Sequence, residues 1–302
     1  PSHFMPKLDL SIIIISYNTK ETTLSCLRSV VKSLRNSPIK YEILVVDNAS
    51  TDGSLEEIQN FKLKTQNKFQ IQIIQNIQNV GFARANNQAV KLAVGNHILL
   101  LNSDTVVIDD AIPCMYNFFV QNTRVHFLGP KLFNQDMTPQ ASSAPFYTLP
   151  IVFAALFLKG DHWGVSRSSP DKTIETDWVS GACIMTKKEY YDKIKGFDEG
   201  IFMYMDEVDL LYRAKKAGFN TYFYPQAHFI HLGSSSSKGK TYPILQVYKG
   251  FLYFYRKHYS HLSLILLKIM LQLKALIALI IGYIIRNEYL KKTYAEAFKL
   301  AR

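Results

Sequence analysis

LLLNSDT, Leu99 to Thr105, decides how this chain is read, because an apolar run of strand length stops at a polar tip that carries an acid. Three similar runs precede it. Ile12 to Ile15 ends in Ser16, Tyr17 and Asn18, Glu42 to Val46 runs into DNASTDGS (Asp47 to Ser54), and Ile71 to Ile74 leads toward NVGFARANN (Asn79 to Asn87). Continuous β-branched runs indicate strands buried on both faces. Between the first two lies a helical pattern, Leu24, Leu27, Val30, Val31 and Leu34, with Asn18 and Glu21 spaced as a capping box. A short polar helix is expected after Ser54, and another from the NVGFARANN segment to about Gly95. Alternating strands and helices predict a parallel, doubly wound α/β sheet. Ligands bind such sheets beyond the carboxyl ends of the strands, so the polar tips predict a nucleotide-type site. Asp104, closing a buried strand, is placed to hold a divalent cation against a diphosphate.

The bulk properties narrow the choices. The chain has 302 residues and is 48% hydrophobic, ample for a core. Cys26, Cys114 and Cys183 are isolated, which points to neither a disulfide framework nor a cysteine zinc site. Residues 1–4, before Met5, read as an extension outside the fold. With no secretory signal in view, a cytoplasmic location is expected. Glycine is absent before Gly53, so the first strand lacks the GxGxxG turn of dinucleotide folds, and no GxxxxGK[ST] loop occurs.

The net charge of +11 resides almost wholly in the tail. From Lys238 to Arg302 there are twelve Lys or Arg against Glu288 and Glu296, a location that argues against a nucleic-acid partner. The same stretch holds LSLILLKIMLQLKALIALIIGYII, Leu262 to Ile285, close to the length needed to cross a bilayer. Lys268 and Lys274 interrupt it. The expectation is a helix lying on an anionic leaflet, with its basic residues at the head groups, rather than a span; a core helix or an oligomer-forming one is the other use open to it.

The middle is less regular. A strand is expected over Val125–Leu128, mostly loop over Gln135–Lys172 with an apolar insert at Ile151–Leu158, a strand over Trp178–Thr186, and a helix over Asp206–Ala217.

Several side chains suit a nucleotide ligand. An acid ending the second strand, Asp47, can accept the imide proton of a uracil or thymine ring, with Tyr17, Asp52, Asn79, Arg84 and Asn86 nearby in order. Ordinary turn chemistry explains Asp47 and Asp52 equally well. Asp206 and Glu207 open a helix after an apolar run and can serve as a general base. Asp209 has Arg213 four residues on, which supplies a purely structural partner. His231 can complete a metal shell or bind phosphate.

Taken in order, IIIISYN, VVDNASTDGS, NVGFARANN, LLLNSDT, DWVSGA and FDEGIFMYMDEVDL resemble the signatures of family 2 glycosyltransferases of the GT-A fold, in particular bacterial rhamnosyltransferase-like enzymes. The likeness runs from about Leu10 to Gly233. It implies a GT-A domain over 8–235, with a donor half at 8–105 and an acceptor half at 106–235, followed by a helical tail over 238–302. The implied sheet is mostly parallel and Rossmann-like, with flanking helices. The implied donor is a UDP or dTDP sugar, bound by Ser16, Tyr17, Asn18, Asp47, Asp52, Asn79, Gly81, Arg84, Asn86, Asn102, Ser103 and Asp104. Trp178, Gly181 and Ala182 would lie beside the donor sugar and acceptor. Mg2+ or Mn2+ would sit on Asp104, with His231 as a further ligand, because Asn102 replaces the first carboxylate of the family's DXD-type motif. The family's usual Glu-Asp pair is reversed here, so that Glu207 falls on the base position with Asp206 beside it. The implied reaction is a single inverting displacement, one sugar per encounter, onto a glycan or polyprenyl-linked acceptor at the inner face of the cell membrane. A sugar nucleotidyltransferase or a non-catalytic scaffold of a glycan-assembly complex are the rival readings.

Overall fold

The computed structural model describes residues 8–65, 69–233 and 241–302. The expected extension at 1–4 and the expected boundary between 235 and 238 lie outside the described residues. The first part of the chain alternates as its sequence predicts: β1 (Leu10–Ser16), α1 (Lys20–Leu34), β2 (Tyr41–Asp47), α2 (Ser54–Thr65), β3 (Gln70–Gln75), α3 (Phe82–Leu92) and β4 (His97–Asn102). Then come β5 (Thr105–Val107), α4 (Ala111–Gln121), β6 (Phe127–Phe133), β7 (Pro139–Gln140), β8 (Ser143–Ala144), α5 (Leu149–Phe157) and β9 (Ile174–Thr176). After these follow β10 (Trp178–Val179), β11 (Cys183–Lys187), α6 (Lys188–Lys193), α7 (Asp206–Lys216) and β12 (Thr221–His231). Three helices close the chain, α8 (Thr241–His258), α9 (His261–Ile284) and α10 (Glu288–Leu300).

The main sheet has the order β3-β2-β1-β4-β11-β6-β12-β5. Its first four strands are parallel, and beyond them the sheet is mixed, since β11 runs antiparallel to both β4 and β6. Side chains alternate across each strand, and β1 shows the result. Ile12 and Ile14 pack with Leu27 and Val30 of α1 and Met115 of α4, whereas Ile13 faces the cluster that holds Ala89 of α3 and Leu210 of α7. That second cluster continues into Phe251, Phe254 and Tyr255 of α8 and Leu267 and Leu271 of α9, so the C-terminal helices share the core of the sheet domain.

Three local expectations are corrected. The Asn18/Glu21 capping box does not form: Asn18 takes φ 53° and its Oδ1 accepts from the Thr51 N–H, while Asp52 accepts from the N–H of Lys20 at the start of α1. The apolar insert is a helix, α5, begun by Thr148 with Pro150 in its first turn, where a missing N–H costs nothing. Lys268 and Lys274 do not point to head groups. Lys274 Nζ donates to the carbonyl of Leu156 at the end of α5, and Lys268 Nζ to that of Arg302 beyond α10. A cation at a helix C-terminus meets both unpaired carbonyls and the negative end of the macrodipole.

With both lysines engaged by carbonyls of neighbouring segments, the outer face of α9 is left apolar. Leu262, Ile265, Ile269, Leu273, Leu276, Ile280 and Ile284 are exposed at helical spacing along 24 residues, about 36 Å of helix.

Candidate active site

The ends of β1 and β4, the 180–182 loop and the 202–204 turn enclose a cleft of about 310 Å³. Eleven expected residues line it: Tyr17, Asn79, Gly81, Asn102, Ser103, Asp104, Gly181, Ala182, Asp206, Glu207 and His231. The strand expected over Trp178–Thr186 is in fact broken into β10 and β11, and the break at Ser180–Ala182 is what reaches the cleft. Gly181 leaves room there for Glu207, whose Cβ would stand only 3.3 Å from a Cβ at this position. Gly81, at φ 85°, likewise has the Phe202 ring 3.0 Å from where its Cβ would be.

Asp104 sits in the two-residue turn between β4 and β5. Antiparallel pairing sets Thr105 of β5 opposite His231 of β12, bringing His231 Nε2 to 3.4 Å from Asp104 Oδ1. The tautomer of His231 follows from a run of hydrogen bonds. The Asp136 carboxylate accepts from the Thr138 hydroxyl, so Thr138 Oγ1 can only accept in turn, from Asn134 Nδ2 at 2.9 Å. Asn134 Oδ1 then accepts from Gln140 Nε2, which leaves Gln140 Oε1 as the acceptor for His231 Nδ1–H at 2.7 Å. A neutral His231 therefore presents the lone pair of Nε2 toward a carboxylate oxygen. Asn102 Nδ2 lies 3.5 Å from the same nitrogen; a lone pair beside a carboxylate oxygen suits a shared cation, and a second-neighbour bond that fixes the other ring nitrogen is what metal-binding histidines show. The pair thus fits a divalent ion. No group of three or more His, Cys, Asp or Glu gathers among the described residues, so further ligands would have to come from a substrate.

Asp206 and Glu207 start α7 after a strained turn in which Tyr204 and Met205 take φ of 63° and 65°, a region costly for side chains of this size. Burial pushes the Asp206 carboxyl well above the usual carboxylate range, and the neighbouring charge of Glu207 adds to it. Both carboxylates reach the cleft, and the deeper burial of Asp206 disfavours its charged form relative to an exposed acid. Asp209, one turn on and fully buried, bonds Arg213 at 2.7 Å, Lys257 at 2.7 Å and His258 at 2.6 Å, so it ties α7 to α8 and stands apart from the cleft.

Seven expected residues do not line the cleft. Ser16 is buried in a hydroxyl cluster with Thr19 and Thr23. Asn18 and Asp52 hold turns: Asp52 accepts from Lys20 N–H and from Ser54, and these bonds outweigh partial burial to lower its pKa. Arg84 pairs with Glu199 at 2.8 Å, and Asn86 bonds the carbonyl of Phe82 within α3. Trp178 lies beneath Arg167 and donates to the Pro145 carbonyl. Asp47 is 1% exposed behind Asn48; its Oδ2 accepts from Ser50 N–H, and its Oδ1 has no partner among the described residues.

Thr19, Asn48, Arg167, Ser180, Phe202 and Met203 line the cleft without having been singled out, together with Tyr204. The polar run SYNT and the DNAS tip carried a signal for Thr19 and Asn48. Arg167 had none, since it lies in an irregular, serine-rich stretch.

The sequence profile of "Glycosyl transferase family 2" matches residues 11–195. A poly(ribitol-phosphate) beta-glucosyltransferase of Bacillus spizizenii is 35% identical over 115 residues, 38% of this chain and 18% of that protein. An N-acetylglucosaminyl-diphospho-decaprenol L-rhamnosyltransferase of Mycobacterium tuberculosis is 26% identical over 209 residues, 63% of this chain and 66% of that one. The chain thus spans less than two thirds of the length of either relative. Among solved structures, the mannosyltransferase PcManGT of Pyrobaculum calidifontis, in complex with GDP-Man and Mn2+, superposes with a TM-score of 0.59 at 14% identity, covering 98% of this chain and 74% of that one. Likeness at that identity speaks for the fold, which is GT-A.

Proposed function

The chain belongs to glycosyl transferase family 2, and from that premise we propose that it transfers a single sugar, with inversion, from a UDP or dTDP sugar to a hydroxyl of a glycan or polyprenyl-linked acceptor. The observation that carries this reading is the meeting, in one cleft, of the Asp206–Glu207 pair with the Asp104–His231 pair. Glu207 takes the proton of the acceptor hydroxyl as its oxygen bonds to the anomeric carbon. The bond from that carbon to the diphosphate oxygen breaks, and its electron pair leaves with the nucleotide. Mg2+ or Mn2+ held by Asp104 and His231 would supply positive charge against the departing diphosphate. Tyr17, Asn48 and Asn79, which line the cleft, supply the polar groups for a base, and Asp47 stays buried next to Asn48 in sequence.

The exposed apolar face of α9 supports a peripheral seat on the cytoplasmic leaflet. A contiguous, uncharged apolar face of this length is the kind of surface that marks an interaction site, and its basic surroundings suit anionic lipid.

Thermal stabilisation by a panel of nucleotide sugars, with and without Mn2+ or Mg2+, tests the site. A metal-dependent shift from a UDP or dTDP sugar that disappears in Asp104→Ala is expected. Absence of any shift across the panel would overturn the reading.

A further inference from the structure

The chain has two tryptophans in opposite settings: Trp178 is 2% exposed in the core, whereas Trp163 is 72% exposed on the turn that follows α5. That turn is built, not loose. The Gly160 N–H donates to the Ala154 carbonyl at 2.9 Å, the Val165 N–H donates to the Gly160 carbonyl at 2.8 Å, and the Ser166 hydroxyl donates to Asp161. A Cβ on Gly160 would stand 2.6 Å from the oxygen of the buried Ser166, so the turn closes as tightly as its glycine allows. It thereby holds in water a large ring with an apolar body and one polar N–H, the side chain that favours a membrane–water boundary. Phe153, Leu158 and Val165 are exposed nearby in sequence, together with Lys159 and His162. From Leu149 to Val165 the one acid is Asp161, which already accepts from Ser166.

The apolar surface of α9 continues onto this segment. α5 packs against α9, where Lys274 Nζ bonds the Leu156 carbonyl and lies 6.0 Å from the centre of the Phe157 ring. Leu273 and Ile277, on either side of that lysine, are exposed on α9, and the Phe157 ring in turn lies 5.2 Å from that of exposed Phe153. We infer that the end of α5 and the turn after it form a second membrane contact, in which Phe153, Leu158 and Trp163 enter the head-group boundary of an anionic bilayer and Lys159 meets the head groups. The inference rests on the membrane seat of α9 and adds a contact outside the C-terminal helices. An indole, apolar side chains and a lysine, with the local acid already engaged, are the set that suits lipid. The second contact fixes orientation. A single helix on a bilayer is free to roll about its axis, and a rigid point away from that axis stops the roll. Arg167, two residues beyond Val165, lines the cleft, so the turn ties the cleft wall to the bilayer surface.

Trp163 is its own probe. Fluorescence of the full chain is followed as vesicles of equimolar phosphatidylglycerol and phosphatidylcholine are added, with plain or brominated acyl chains, and sedimentation is measured in parallel. Trp178→Phe reports Trp163 alone; should that variant fail to fold, the difference between wild type and Trp163→Phe gives the same signal. The expected result is a blue shift of the Trp163 emission on binding and loss of at least half its intensity on brominated vesicles. Trp163→Phe shows neither change, and Trp163→Ser, with its fold verified by thermal unfolding, binds vesicles at least threefold more weakly. Sedimentation with unchanged Trp163 emission overturns this proposal and leaves the seat on α9 standing. No sedimentation at all refutes both. A shift and quenching that persist in Ile269→Glu combined with Ile280→Glu would refute the seat on α9 alone. Trp163 emission that is already blue before lipid is added, and that moves with protein concentration, would assign the turn to a second copy of the chain and overturn the proposal.

Discussion

Replacing Asp209 with Asn removes the negative centre of a buried cluster while keeping its size. Burial alone would raise the pKa of Asp209, but the hydrogen bond from His258 and the charges of Arg213 and Lys257 win and bring it to about 2 from an ordinary 3.8. At about 1.4 kcal/mol per unit, the ionised carboxylate contributes about 2 kcal/mol at neutral pH. The folded value lies below the unfolded one, so this stabilisation is complete above about pH 5 and is lost as pH falls toward 2. Breaking a buried ion pair costs about 3–5 kcal/mol. The low end applies, because Lys257 keeps Asp198 and Arg213 keeps the carbonyls of Ile194 and Gly196. A loss of about 3 kcal/mol lowers Tm by about 6 °C in a chain of this size. Calorimetry or circular dichroism at pH 7 checks that figure. Repeated at pH 3, the difference between variant and wild type narrows by about 2 °C, since the wild type has by then lost about 1 kcal/mol of the same contribution. A Tm within 1 °C of wild type at pH 7, or a difference that widens in acid, would refute the assignment of Asp209 as the tie between α7 and α8.

Glu207→Gln is expected to cut turnover by about 10²–10⁴ with donor binding retained, and Asp206→Asn to cost less, because burial disfavours the charged form of Asp206; equal losses in a transfer assay would contradict the division of roles. Gln140→Leu frees His231 Nδ1 from its acceptor and weakens Mn2+ binding by about 10–100-fold. Free Mn2+ measured by electron paramagnetic resonance decides this, and unchanged affinity counts against His231 as a ligand. Ile269→Glu combined with Ile280→Glu alters only exposed positions of α9, so stability changes by less than about 1 kcal/mol. Sedimentation with anionic vesicles should nevertheless be lost, and its persistence would end the membrane reading.

Much of the donor half was legible because its strands are buried on both faces and so read as unbroken apolar runs; β1, β2, β3 and β4 fall within two residues of expectation. Asp104 was legible for the same reason, a lone acid where such a run stops. Asn18 and Glu21 misled because a capping box is a local pattern, and a residue 32 positions away in sequence, Asp52, takes the N–H at the start of α1. Lys268 and Lys274 misled in a similar way: charge was visible in the sequence, but the helix ends that would receive it were not. Arg167 follows no period. Its position depends on Tyr147 and Trp178, contacts that exist only after the irregular middle has folded back on the sheet.

The run from Asp136 through Thr138, Asn134 and Gln140 to His231 has a direction. An exposed carboxylate, able only to accept, sets the sense of each bond in turn, and the last of them determines which face of an imidazole is basic. Orientation, rather than displacement, is the quantity transmitted. Turning two amides about their own axes would reverse the message and leave every backbone atom where it stands, so a change at an outlying turn can be felt in the cleft as chemistry while remaining invisible as shape.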